Sequence, residues 1–291
     1  VLFDLLRDRV KPHRDSNANA DISARWWQFG HVRAQLRQAS AGLARIIVTA
    51  ETARHRIFLP VATEVAPEGK LFCICVDDPF VLGVLSSRVH VDWSNSLAGR
   101  LGVGNDFVYN KSCFDAFPLP DPTQDAKSRV AHLAERLDKH RTDALARDEK
   151  VTMTGMYNVV EKLRLGEALT AKERTIHEIA ACGVLKDIHD ELDAAVAEAY
   201  DWPWPMPTEE ILERLVALHD ERVEEEKRGL IRWLRPEYQI PRFGKADAPV
   251  ELALPEAPST KGKRQKSAPA PEPAAIAWPQ TAVDQITLIG V

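Results

Sequence analysis

GRLGVGNDFVYNKSCFDAFPLP, residues 99–120, decides how the first half of this chain is read. Its glycines suggest a loop made to hold a phosphate. A dinucleotide-binding fingerprint, however, places G-x-G-x-x-G between a strand and a helix. Here Gly102 and Gly104 are followed by Phe107 where the third glycine belongs, and a helical pattern precedes them. No G-x-x-x-x-G-K-[ST] run is present either. The segment therefore reads as a helix end, with glycine supplying a positive φ after the last turn and the chain turning through Asn105 and Asp106.

Outward from this turn the first third mixes strands and helices. LARIIVTA (43–50), HRIFLPVA (55–62) and KLFCICVD (70–77) are short apolar, β-branched runs bounded by charged or turn-forming residues, which predicts strands. PFVLGVLSSRVHVDWSNSLAG (79–99) has helical spacing, with Asp78 as N-cap and Pro79 as the first helical residue. Residues 1–122 thus form an expected α+β domain, a small sheet with helices. Over residues 123–240 the pattern changes to helix after helix, as in the repeat Ile188, Leu192, Val196. Thr170 and Glu173 form a capping box, WPWPMP (202–207) breaks the helices, and Thr208 is expected to cap the next one. This is an all-α region. Residues 241–291 carry the Pro/Ala-rich run PEAPSTKGKRQKSAPAPEPAA, expected to be a disordered linker, before AWPQTAVDQITLIGV, which reads as the start of a truncated element.

Composition narrows the function classes. The 291 residues carry a net charge of −5, concentrated in the middle: residues 1–120 have 14 Lys and Arg against 12 Asp and Glu, residues 121–240 have 18 against 26. No apolar run approaches the ~20 residues of a membrane span, and the first residues are charged, so no membrane partner and a cytoplasmic location are expected. The chain opens on valine, and we expect it to be a piece of a longer protein. Cys73, Cys75, Cys113 and Cys182 show no C-x-x-C spacing and no histidine partner at zinc-ligand spacing, which points to reduced thiols and no metal. HEIAA (177–181) lacks the second histidine of a zinc-protease helix, and His177, His189 and His219 sit in periodic helices as packed or surface residues.

DDPF (77–80) comes within one residue of the [ND]-P-P-[YF] loop with which amino methyltransferases hold a flipped base, but Asp78 occupies the place of the first proline. Helix-start chemistry explains it in full. No catalytic residue is assigned. What remains is a basic and polar set on the α+β third: Arg45, Arg54, His55, Arg56, Arg88, Arg100, Asn105 and Lys111. Arg and Lys suit phosphates, and Arg, Asn and His suit base edges. Trp26 and Trp27 in RWWQFG suit either a core anchor or a base stack.

Several of these pieces, taken in order, resemble a known family. WWQFGHVRAQLRQA, ARIIVTAETARHRIFLP, FVLGVLSSRVHVDW, RLGVGNDFVYN and SCFDAFPLP resemble the target-recognition domain of MmeI-like DNA methyltransferases, a group that includes single-chain type IIG restriction-modification enzymes. YNVVEKLRLGEALTAKERTIHE, LKDIHDELDAAVAEAYDW and ILERLVALHDERVEEEKRGLIRWLRPEYQ resemble the helical region that follows it. The resemblance implies a module that binds double-stranded DNA for an adenine-specific methyltransferase. S-adenosylmethionine is the implied cofactor of the parent enzyme, and the methyl-transferring domain, absent from this chain, is an implied partner in cis. This chain has neither N-P-P-Y nor a Gly-rich donor loop, so it is expected to hold no cofactor itself. A helical scaffold that docks a methyltransferase or nuclease subunit is the alternative, motivated by the acidic middle third.

Overall fold

The computed structural model describes residues 2–27, 33–101 and 106–244. Four short helices lead: α1 (Leu2–Arg9), α2 (Lys11–Asp15), α3 (Ala20–Ala24) and α4 (Ala34–Ser40). Strands β1 (Arg45–Ala50), β2 (Thr52–Ala53), β3 (Leu59–Ala62) and β4 (Leu71–Ile74) follow, then helices α5 (Pro79–Ser86) and α6 (Arg88–Leu97). Strands β5 (Gly99–Leu101) and β6 (Asp106–Val108) and helix α7 (Lys111–Asp115) complete the α+β part. The remainder is helical: α8 (Gln124–Arg147), α9 (Met153–Leu165), α10 (Ala171–Ala180), α11 (Cys182–Ala199), α12 (Thr208–Lys227) and α13 (Pro236–Phe243).

The strands make two antiparallel sheets, in the orders β3-β1-β4 and β2-β6-β5. β1 is central in the first sheet, and Ile46, Ile47, Val48 and Thr49 are buried in succession. A strand covered on both faces needs such an unbroken apolar run, where a half-exposed strand alternates. All three strand expectations therefore hold, with trimmed ends.

The Gly-containing segment differs from its expected form. Ala98 already ends α6 in an extended conformation, and Gly99 is the first residue of β5. Gly99 pairs with Val108, Arg100 with Phe107 and Leu101 with Asp106, so the segment is a β-hairpin and Asp106 lies in a strand. Strands of three residues are too short for an alternation to register in the sequence. Gly102, Gly104 and Asn105 lie outside the described residues.

Two further boundaries differ. The single helix expected over 79–99 breaks at Ser87, which is extended and whose hydroxyl donates to the Val84 carbonyl at 2.7 Å. A serine side chain that takes up a backbone acceptor in this way competes with the helix ladder. Thr208 is not an N-cap; Pro207 holds that position, and the Thr208 hydroxyl donates to Asp92 Oδ2 at 2.9 Å. Elsewhere local signals hold. Asp78 accepts from the Phe80 N–H at 2.8 Å to open α5, and Thr170 and Glu173 form the capping box of α10.

From Phe80 to Ser86 every residue of α5 is buried, as befits a helix apolar on all sides. It packs on α8, and one core runs from Phe58, Trp93 and Tyr109 into Leu137, Met156, Ile188, Leu192, Ile211 and Leu215. Each such fully buried side chain contributes roughly 1.5–3 kcal/mol of transfer free energy. The sheet-bearing part and the helices are thereby held against each other. The expected linker lies beyond Gly244, outside the described residues.

Candidate nucleic-acid interface

The second sheet positions half of the basic set. Arg54 and His55 leave the end of β2, Arg100 lies on β5, and Lys111 opens α7 just after β6. Arg100 and Phe107 are cross-strand partners, and the guanidinium carbon sits 4.0 Å from the ring centroid, a cation–π contact that holds the arginine against the sheet. Lys111 is 83% exposed and pairs with Asp115 at 3.3 Å. Arg54 donates to Glu161 Oε2 at 2.6 Å, and His55 Nε2 lies 2.7 Å from Asn158 Oδ1, so both rest on α9.

Three other members of the set serve the fold. Arg56 is buried, donating to Thr49 Oγ1 at 3.1 Å, to the Ala50 carbonyl and to the Phe107 carbonyl at 3.0 Å. Burial pulls its pKa below the ordinary guanidinium value. It ties β1 to β6 and so fixes one sheet against the other. Arg45 bridges Asp77 at 3.2 Å and Glu135 at 2.9 Å, joining β1 to α8. Arg88 reaches the Met206 carbonyl at 3.2 Å and Thr208 Oγ1 at 3.0 Å, joining α6 to the start of α12. The sequence showed eight cationic or polar side chains but not which of them had interior partners. Phe107, the platform of Arg100, was missed for the same reason.

Trp26 is buried, while Trp27 stands half exposed and edge-on to it at 5.8 Å. DDPF is unfit to hold a flipped base. Phe80 is only 5% exposed with Lys127 Nζ 5.5 Å from its ring, and Asp78 also pairs with Lys127 at 3.0 Å. His189 is buried against the Tyr157 hydroxyl at 2.7 Å, and His219 Nδ1 meets the Ala116 carbonyl at 3.0 Å. All four cysteines are free thiols, each with its pKa pushed up by burial. Cys73 and Cys75 line a largely apolar cleft of about 420 Å³ between β4, α7 and α13.

Residues 5–121 match the model of the family described as MmeI, target recognition domain. This segment is an MmeI-type target recognition domain. The match ends where the sheets and α7 end and the long helices begin. The chain is also 26% identical over 184 residues to DNA methyltransferase A of Bacillus subtilis (strain 168), an alignment covering 62% of this chain and 18% of that protein. The fold matches the solved structure of the type IIL restriction-modification enzyme MmeI in complex with DNA, with a TM-score of 0.57 at 17% identity. That superposition takes in 77% of this chain and 27% of MmeI, so the likeness of fold extends past the recognition domain into the helices. This chain thus spans about a fifth to a quarter of the length of these relatives.

Proposed function

We propose that this chain is the sequence-reading part of a site-specific adenine DNA methyltransferase, with duplex DNA as its partner. In this reading S-adenosylmethionine is bound by a methyl-transferring domain elsewhere in the same polypeptide, and the assembly works in the cytoplasm with the DNA it modifies. The observation that carries the reading is the target recognition domain over residues 5–121. No residue of this chain is assigned to methyl transfer or to the cofactor, because DDPF is a helix start with its aromatic ring in the core.

Within this reading the DNA-facing residues are Arg54, His55, Arg100 and Lys111, the members of the basic set carried by the second sheet and α7; for Asn105 the assignment rests on residue type alone. Arg54 and Lys111 are held only by exposed ion pairs, which are worth about 0–1 kcal/mol and are readily exchanged for a phosphate. Arg45, Arg56 and Arg88 serve as struts. Residues 1–122 form the reading domain, and residues 123–240 brace it. The Arg141 guanidinium, donating to the Phe58 carbonyl at 3.0 Å, and the Tyr200 hydroxyl, donating to the Pro118 carbonyl at 2.8 Å, support this bracing role over a free-standing scaffold. Holding the reader rigidly fits the division of labour in base-flipping enzymes, where flanking base pairs are read while one base is extruded.

The test is selection of duplexes with a randomised core on the full chain, followed by binding titrations. The reading requires enrichment of one sequence. Retention of all sequences equally, or of none, would remove it.

A further inference from the structure

We infer that the open edge of β4 is a strand-accepting site and that its occupant is a segment of this same chain, QITLI (285–289), added as a fourth strand in the cleft between β4, α7 and α13. The inference goes beyond the DNA-reading assignment and does not depend on it.

Among the described residues β4 pairs with β1 alone. The Glu51 N–H donates to the Lys70 carbonyl at 2.8 Å, which makes residues 51 and 70 a bonded pair continuing the β1–β4 ladder. Bonded and non-bonded pairs alternate in an antiparallel ladder, so Phe72 and Ile74 turn their N–H and C=O groups to β1, and Cys73 and Cys75 turn theirs away. The outward groups face the cleft. Residues 72–76 line it without a break, whereas a cleft over one face of the strand would be lined by every second residue. Arg235, on the opposite wall, donates to the outward Cys75 carbonyl at 2.9 Å. LFCICV (71–76) has no charge and no proline, the usual devices that keep an edge strand from pairing. Such an edge is stable in water only when something covers it.

The course and pattern of the chain name the cover. Phe243 lines the cleft, so residues 245–291 set out from the rim of the site. Residues 245–280 reach up to roughly 120 Å when extended, ample for a return to the same cleft. Beyond them QITLI is rich in β-branched residues, with Ile286 and Leu288 on one side of a strand and Gln285, Thr287 and Ile289 on the other. Laid along β4, it sets its backbone against Cys73 and Cys75 and its Ile286 and Leu288 side toward Phe114, Leu234 and Phe243. In strand addition the main-chain bonds supply affinity and alternate side chains supply selectivity. A donor strand on the same chain also pairs at an effective concentration that a separate peptide does not reach.

The experiment is hydrogen exchange read by mass spectrometry on the full chain and on the double variant Ile286→Asp, Leu288→Asp. Peptides spanning residues 71–76, which carry the outward Cys73 and Cys75 amides, should be protected in the wild-type chain and exchange about tenfold faster in the variant, while peptides from α11 stay unchanged. Ile286→Val combined with Leu288→Ile should keep the wild-type protection. Because Cys73 and Cys75 line the cleft, a maleimide should also label them faster in the Asp variant. Exchange of residues 71–76 that is fast in the wild-type chain would overturn the inference. Equally slow exchange in both chains would overturn it as well, since something other than QITLI then covers the edge. Protection lost when the wild-type chain is diluted would do the same, by assigning the edge to a second copy.

Discussion

Asp193 Oδ1 accepts the backbone N–H of Arg88 at 2.7 Å, so a carboxylate from α11 caps the first turn of α6, whose own cap Ser87 offers no side-chain bond. Arg164 lies 3.7 Å from the other carboxylate oxygen. The recognition domain and the helices meet here through one buried acid.

Burial pushes the Asp193 pKa up to about 7, against the opposing pull of the Arg88 N–H and Arg164. A folded-state value above the unfolded one means that the folded chain holds a proton the unfolded chain gives up. The stabilising contribution is then full below about pH 4 and is lost as the pH climbs through about 7. Asp193→Asn keeps an acceptor for the Arg88 N–H and removes the titration. The melting temperature of the variant relative to wild type should rise between pH 4 and pH 8, by an amount equivalent to a few kcal/mol at most. Melting curves that run parallel across that range would contradict the assignment.

Tyr157 should be among the most sensitive buried positions. Its hydroxyl accepts from Arg141 Nε at 2.7 Å and from a second guanidinium nitrogen, and it meets His189 Nε2 at 2.7 Å. Burial and the nearby Arg141 hold the His189 pKa well below its ordinary value, so the neutral ring can accept a hydrogen bond from the Tyr157 hydroxyl. Tyr157→Phe leaves His189 Nε2 and the Arg141 nitrogens that met the hydroxyl without that partner, while Arg141 keeps its bond to the Phe58 carbonyl, at about 1–3 kcal/mol for each buried group left unsatisfied. Urea denaturation should show a lower midpoint with an unchanged slope.

Gly83 marks a close contact between α5 and α8. A methyl group there would sit 2.6 Å from Val130 Cγ1 and 3.1 Å from the Val130 carbonyl oxygen of α8. Alanine normally stabilises a helix by about 1 kcal/mol over glycine. Here overpacking of roughly 1–3 kcal/mol should win, and Gly83→Ala should lower the melting temperature. Gly83→Ala combined with Val130→Ala should recover part of that loss.

How much of this was legible beforehand follows from where the deciding interactions lie. Asp78 at α5 and the Thr170–Glu173 box at α10 are local, and the sequence shows both partners within four residues. β1 was legible because burial on both faces demands an apolar run. Thr208 misled because Asp92, 116 residues away, takes its hydroxyl. The candidate site divided for the same reason. Arg56 and Arg100 look alike in sequence, yet one turns inward to Ala50 and Phe107 and the other lies on a ring at the sheet edge. The family pattern reached the domain that these residues serve, but the role of each residue depends on long-range partners.

That division yields the last prediction. Lys111 is mostly exposed and paired with the exposed Asp115, so the proposed function casts it as a phosphate contact. Lys111→Ala should weaken binding to selected and unrelated duplexes alike and should reduce the slope of log affinity against log salt by about 1. Arg100→Ala should instead cost about 1–3 kcal/mol on the selected duplex and relax preference at one position, because a guanidinium held over the Phe107 ring is restricted in the directions it can take. Arg56→Ala separates the two classes, since it should lower the unfolding midpoint, its loss leaving the Ala50 and Phe107 carbonyls without their donor. Binding titrations at several salt concentrations, set beside denaturation of the same variants, check all three. A salt slope unchanged in Lys111→Ala would place that lysine away from the phosphates.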